Sequence, residues 1–202
     1  MKQWIVFEGG EGSGKTTLMA ALEEHLVSRG MDVLCTREPG GVPIAEAIRR
    51  IILDPQNKEL DPIAEALLFA ASRRQHLVEK VLPALKEGKM VLMDRFVDSS
   101  LAYQGHAREI GLDEVRRINA LATQGHMPDV VFLLDIEPIK GLERIRADRD
   151  SLNRLDLETM RFHEKVREGY HLLARENPNM IVLNAQKSVE ELLHEILETL
   201  FP

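Results

Sequence analysis

A chain of 202 residues, 44% hydrophobic and 29% charged, has the composition of one soluble globular domain long enough to bury a core. Its formal charge of −7 argues against a general nucleic-acid binder, but leaves room for a small anion held by a local cluster of Arg and Lys. Cys35 is the only cysteine, which excludes an intrachain disulfide, and no His or Cys spacing reads as a zinc site.

No run of about 18 apolar residues suggests a membrane span. The N-terminus runs directly into "QWIVFEGG", with no leader to cleave, so a reducing cytoplasm is the expected location.

In chain order, short apolar runs alternate with longer patterns of helical period. The runs are WIVFE (4–8), DVLCT (32–36), MVLMD (90–94), VVFLLD (130–135) and MIVLN (180–184). None alternates with polar residues, which predicts strands buried on both faces of a parallel sheet. Leu18, Leu22 and Leu26 share one helical face, and Gly30 supplies a stop. Asp61-Pro62 reads as a cap with proline at the first helical position, opening a helix that Pro83 kinks or ends. Asp113 begins another helix with Gly125 beyond its end, and Ser188 with Glu191 forms a capping box for the last. The order predicts a single α/β domain over 1–202, with helices on both sides of the sheet. The charged segment ADRDSLNRLDLE (147–158) is either a solvated connection or a mobile flap bearing arginines.

Gly9-x-x-x-x-Gly14-Lys15-Thr16 matches a phosphate-binding loop between a predicted strand and a predicted helix. Its glycines let successive backbone N–H groups face an anion, over residues Gly9, Gly10, Glu11, Gly12, Ser13 and Gly14. The helix that starts near Lys15, Thr16 and Thr17 adds the positive end of its dipole. Lys15 can reach the β- and γ-phosphates, and the Thr16 hydroxyl can ligate Mg²⁺. Glu11 sets a carboxylate in the middle of this loop. Either it faces water, or it is aimed at something other than phosphate.

Three further constellations stand at strand ends or on helices. Asp94 closes a strand and could join a Mg²⁺ shell or accept a proton, while Arg95 could grip a phosphate; a capping Asp with a surface Arg is the bland alternative. On a helix, Ser100, Tyr103 and Gln104 would face one way. Phe69 and Arg73, four apart, suit the face and edge of a nucleobase, or else are a core ring and a surface cation. Arg37, Glu38 and Pro39 in TREPGG (36–41), with Arg49 beyond, form either an acceptor-side cluster or a turn with incidental charges.

Taken together, FEGGEGSGKTT, TREPGG, LLFAASRRQH, DRFVDSSLAYQG, PDVVFLLD and RDSLNRLD followed by FHEKVREGY resemble the thymidylate kinases, end to end and in order. These are P-loop nucleoside-monophosphate kinases. The resemblance implies the P-loop NTPase fold, with a five-stranded parallel sheet flanked by helices and a short lid at about 147–158. It implies transfer of the γ-phosphoryl of ATP to dTMP with Mg²⁺, giving dTDP for dTTP biosynthesis, in a homodimer. Phe69 would stack on thymine, with Arg73 and Gln104 on its edge and Tyr103 crowding the 2′ side of the sugar. Arg37, Arg49 and Arg95 would hold the monophosphate, Asp94 and Glu38 would organise the metal, and Glu11 would accept a bond from the 3′-hydroxyl.

The loop carries no arginine of its own, which in this family sends the catalytic arginine to the lid, where Arg149 and Arg154 are the candidates. Phe96 departs from the usual Tyr or His after Asp-Arg. Three acceptor-side arginines favour a monophosphate over a neutral nucleoside as acceptor. No Asn-Lys-x-Asp stretch late in the chain points to a guanine-dependent switch.

Overall fold

The computed structural model describes residues 2–148 and 152–201. Among them are five strands: β1 (Trp4–Glu8), β2 (Val33–Arg37), β3 (Met90–Asp94), β4 (Val130–Asp135) and β5 (Met180–Asn184). They form one parallel sheet in the order β2-β3-β1-β4-β5. β2 starts one residue later than its apolar run and takes in Arg37.

The register places Phe7 beside Asp94 and Arg37 beside Asp94, so the loops after β1, β2 and β3 leave the sheet together at its carboxyl edge. That edge is where an open parallel sheet presents ligand-binding residues.

Both faces of the sheet are covered, which explains the unbroken apolar runs. On one face, Ile5, Phe7, Leu92 and Phe132 pack on helices α1 (Lys15–Ser28) and α9 (Val189–Leu200) through Leu18, Leu22, Leu26, Leu192 and Ile196. On the other, Val6, Met93, Val131 and Leu133 meet Leu77, Phe96, Leu101, Phe162 and Tyr170. The remaining helices are α2 (Pro43–Leu53), α3 (Pro62–His76), α4 (Leu82–Lys86), α5 (Val97–Ser100), α6 (Leu112–Thr123), α7 (Pro138–Asp148) and α8 (Met160–Glu176).

Asp61 caps α3 by accepting from the N–H groups of Ile63 and Ala64, and the Ser188–Glu191 capping box opens α9. Pro83 does not end the helix that starts at Pro62. The chain widens into a π-helical turn over Leu77–Val81, where the Leu82 N–H bonds the Leu77 carbonyl five residues back, and α4 then carries Pro83 in its first turn. The π-helical turn changes the hydrogen-bond register just ahead of Pro83, which has no N–H to offer. A second π-helical stretch, Leu101–Ala107, continues α5 and holds Tyr103 and Gln104. Such wide turns concentrate at functional sites, where they re-aim side chains.

Candidate active site

The phosphate loop joins β1 to α1 and packs on the start of α7. Gly12 has φ +67°, and a Cβ there would lie 2.0 Å from the Gly141 carbonyl oxygen. A Cβ on Gly141 would in turn stand 2.2 Å from the Glu11 carbonyl oxygen. The two backbones touch, and only a glycine on each side permits it.

Lys15 folds back into the loop and donates to the carbonyls of Gly9 (3.1 Å) and Gly10 (3.0 Å) and to Ser13 Oγ (3.1 Å). Burial lowers its pKa, helped by the nearby Arg95 charge and resisted by Asp94, Glu11 and Glu8.

The loop opens onto a cavity of about 790 Å³, a size that suits nucleotide-scale ligands. One end is lined by the loop with Thr16, Thr17 and the Lys187–Leu192 region; the other is lined by Arg37, Glu38, Pro39, Arg49, Phe69, Asp94, Arg95, Tyr103 and Gln104. Thr16 Oγ1 lies 3.5 Å from Asp94 Oδ2, while Asp94 Oδ1 is buried without a hydrogen-bond partner among the described residues. An orphan carboxylate oxygen beside a hydroxyl fits a hard cation that completes its shell with phosphate oxygens and water. Among the described residues no three His, Cys, Asp or Glu side chains gather as a metal cluster.

Glu11 does not face water. Its side chain is 12% exposed, and Oε1 accepts from Arg95 Nη2 at 2.6 Å and from the Tyr103 hydroxyl at 2.8 Å. Arg95 has φ +68°, a conformation non-glycine residues rarely hold. Its backbone N–H bonds the Phe7 carbonyl, and its guanidinium meets Ser99 Oγ, the Tyr170 hydroxyl and the face of the Tyr103 ring. Burial works against the Arg95 charge, but Glu11 and its other partners outweigh it and hold the pKa well above the usual value.

Behind this pair sits a residue the sequence reading missed. Glu8, fully buried, accepts from the Phe96 N–H (2.7 Å), the Ser99 N–H (3.1 Å), Ser99 Oγ (2.6 Å) and the Tyr170 hydroxyl (2.8 Å). It pins the backbone on both sides of Val97 and so braces the strained Arg95. The available signal was a charged residue closing an otherwise apolar, buried strand.

Arg37 and Arg49 converge on one acceptor, the Pro39 carbonyl, at 2.9 and 2.8 Å. Burial and then the Arg37 charge depress the Arg49 pKa, against Glu46, which itself pairs with Arg37 at 2.9 Å. Arg37, Arg49 and Arg95 therefore focus positive charge on the half of the cavity away from α9.

Several expectations need correction. Arg73 is buried and lies outside the cavity lining: Nε donates to Glu38, Nη1 to Ser100 and Asn119, and Nη2 to the Phe96 carbonyl. With four of five N–H donors engaged, it serves as a strut that ties α3 to α5 and α6, with at most one donor left for a ligand.

Glu38 spends one oxygen on Arg73 and the other on His76 Nδ1, which disfavours it as a metal organiser. Ser100 is turned inward to Arg73, and its neighbour Ser99 lines the cavity instead. Phe96 is a core ring, edge-on to Trp4 and under the Arg73 guanidinium, so its place asks for no hydroxyl or imidazole.

In the lid region, Arg149 lies outside the described residues. Arg154 is buried; its Nε donates to the Ile52 carbonyl and its Nη2 pairs with Glu65. This ion pair engages its charge with a buried carboxylate. Arg144 of α7, not singled out from sequence, lines the cavity and lies 3.5 Å from the Gly12 carbonyl oxygen.

A phosphate loop after the middle strand of a parallel sheet, facing an arginine-lined acceptor half of the same cavity, defines a P-loop nucleotide kinase. The chain belongs to the thymidylate kinase family, whose sequence model matches residues 7–196. It is 54% identical over 195 residues to a thymidylate kinase of Geobacillus thermodenitrificans, covering 96% of this chain and 87% of that one. It is 52% identical to a thymidylate kinase of Clostridium novyi, covering 96% of this chain and 95% of that one. The crystal structure of thymidylate kinase from Ehrlichia chaffeensis superposes with a TM-score of 0.78 at 31% identity, covering 97% of each chain.

Proposed function

We propose that the protein transfers the γ-phosphoryl of ATP to dTMP, releasing ADP and dTDP for dTTP biosynthesis. The observation that carries this reading is Glu11: a carboxylate of the phosphate loop, useless to a polyphosphate, that reaches Arg95 and Tyr103 on the acceptor side.

A phosphate oxygen of dTMP attacks the γ-phosphorus as the bond to the β–γ bridging oxygen breaks. Little covalent chemistry is left for the protein, so positioning and charge dominate. The loop N–H groups and Lys15 hold the ATP phosphates. Arg37, Arg49 and Arg95 hold the acceptor phosphate, Phe69 offers a ring face to the base, and Tyr103 closes off the 2′ side. Thr16 and Asp94 would hold Mg²⁺, which when bound neutralises charge on the β- and γ-oxygens.

The reading extends to assembly. Ile44 of α2 (56% exposed), Ile63 and Leu67 of α3 (54% and 53%) and Leu121 of α6 (80%) are apolar and open on helices that pack side by side. An apolar face of this kind supports a homodimer with a second copy covering it. Among the described residues no helix is long and apolar enough to cross a membrane. A reducing cytoplasm fits the lone Cys35.

A coupled assay of ADP release over the common nucleoside monophosphates and thymidine tests the function. The expected result is dTMP as the preferred acceptor. Faster turnover of thymidine, or phosphate release without any nucleotide acceptor, overturns it. Light scattering tests the dimer, and a monomeric mass at micromolar concentration overturns that part.

A further inference from the structure

Glu65 of α3 is fully buried yet carries no role in the kinase chemistry above. Its Oε2 is held by Arg154 and Arg108, and its Oε1 accepts from Gln104 Nε2 at 2.8 Å and, at 3.4 Å, from Arg108 Nε. Gln104, itself 1% exposed, lines the cavity on the π-helical stretch after α5.

A carboxylate flanked by two guanidiniums accepts hydrogen bonds and donates none. The side of the Gln104 amide turned toward it must therefore be the NH₂ group. That settles by chemistry an orientation that O and N, being nearly the same size, do not settle by shape. The amide oxygen is left on the opposite side, with no hydrogen bond to the described residues.

We infer that Glu65 is a positioning residue that locks the Gln104 amide with its carbonyl toward the base, so that the cavity selects pyrimidines carrying an N3–H donor and rejects cytosine. Thymine and uracil present N3–H to an acceptor. Cytosine presents a lone pair at N3, which a fixed carbonyl oxygen repels. A freely turning glutamine would accommodate either base, because its NH₂ could face cytosine N3 after a flip. A site that cannot flip discriminates far better, since the wrong base leaves buried polar groups unpaired. This inference rests on the proposed acceptor site, and it assigns to a residue outside the cavity the choice between two base classes.

The test is the variant Glu65→Gln, whose new amide can donate to the Gln104 carbonyl and so permit the flip. Binding of dTMP and dCMP is titrated to both proteins. The ratio of the dCMP to the dTMP dissociation constant is expected to fall at least tenfold in E65Q. Arg108→Met, which removes a charge pair but leaves the Glu65–Gln104 bond, should keep that ratio within twofold even if it lowers stability. A merely structural role for Glu65 would weaken both ligands together and leave the ratio unchanged, which overturns the inference.

Should E65Q fail to fold, the wild-type protein still decides the matter. With dTMP bound, nuclear Overhauser contacts from the Gln104 side-chain NH₂ are expected to the Glu65 methylenes. Contacts from those protons to the base instead overturn it. A wild-type protein that binds no dTMP sinks the functional reading, while the NH₂ contact to Glu65 in the free protein is read separately.

Discussion

Arg95 Nη2 stands 2.6 Å from Glu11 Oε1, a charge pair that ties the loop after β3 to the phosphate loop across the floor of the acceptor cavity. Both side chains are mostly shielded from water, so the contact has more force than an exposed pair. The pair places an acid inside a phosphate site without repelling the donor's phosphates, because its charge is answered on the acceptor side.

Glu11→Gln keeps the shape and removes the charge. It is expected to lower kcat/KM for dTMP roughly tenfold to a hundredfold, the size of one charge-assisted hydrogen bond, with the KM for ATP nearly kept. Steady-state kinetics with dTMP and 3′-deoxy-dTMP separate the causes. A smaller loss with the 3′-deoxy acceptor assigns the carboxylate to the sugar hydroxyl. An equal loss assigns it to its protein partners, Arg95 and Tyr103 among them.

The lid arginines should behave differently from one another. Arg149→Ala is expected to lower kcat more than tenfold with dTMP affinity kept, as for loss of one transition-state donor worth about 2–4 kcal/mol. Arg154→Ala should instead cost about 1.5–3 kcal/mol of stability, because it removes one of the two guanidiniums that hold the buried Glu65. Single-turnover kinetics beside urea unfolding distinguish the two outcomes.

Gly141→Ala sets two effects of opposite sign against each other. Helix propensity alone favours alanine inside α7 by about 0.5–1 kcal/mol. The new methyl, however, would meet the Glu11 carbonyl oxygen at 2.2 Å, and that neighbour is backbone, not a yielding side chain. The expected result is a lower melting temperature and a raised KM for ATP, as the phosphate loop is pushed off α7. A stabilised, fully active variant would mean the loop moves aside freely.

Asp98 gives the fold a pH dependence. Burial and then the Glu8 carboxylate push its pKa from 3.8 up to about 7, against Arg73 and Arg116. The unfolded chain loses this proton first, so between about pH 4 and 7 the folded protein binds more protons than the unfolded one. The Asp98 contribution is thus present at low pH and lost as pH rises through that window. Asp98→Asn should remove the loss and gain on the order of 2–4 kcal/mol relative to the parent between pH 4 and pH 8. Urea unfolding of both proteins across that range checks the sign.

Strands, caps and the phosphate loop were legible because each depends on neighbours in sequence. The five apolar runs became the five strands with a shift of one residue at β2, and Asp61 and Ser188 cap their helices as their types predict. Pro83 is expected to kink or end its helix; the helical path runs on past it after a wide turn at Leu77–Val81, and nothing in the local pattern signals a π-helical stretch. Ser100 turns inward because its hydroxyl meets Arg73, a partner 27 residues away in the chain.

The amino-acid order by itself determined which elements form and which residue types stand at the sheet's carboxyl edge, since hydrophobic period and capping chemistry are local. It determined that a loop with a glycine frame and one lysine would bind phosphate. Only the tertiary structure decided where the charges of distant residues are spent. Arg73 is drawn onto Glu38 at the cavity wall, Arg154 is drawn onto Glu65, and Glu11 is drawn onto Arg95. Those pairings span 35, 89 and 84 residues of chain. A charge's partner depends on which surfaces packing brings within a few ångströms, and no short-range pattern carries that information.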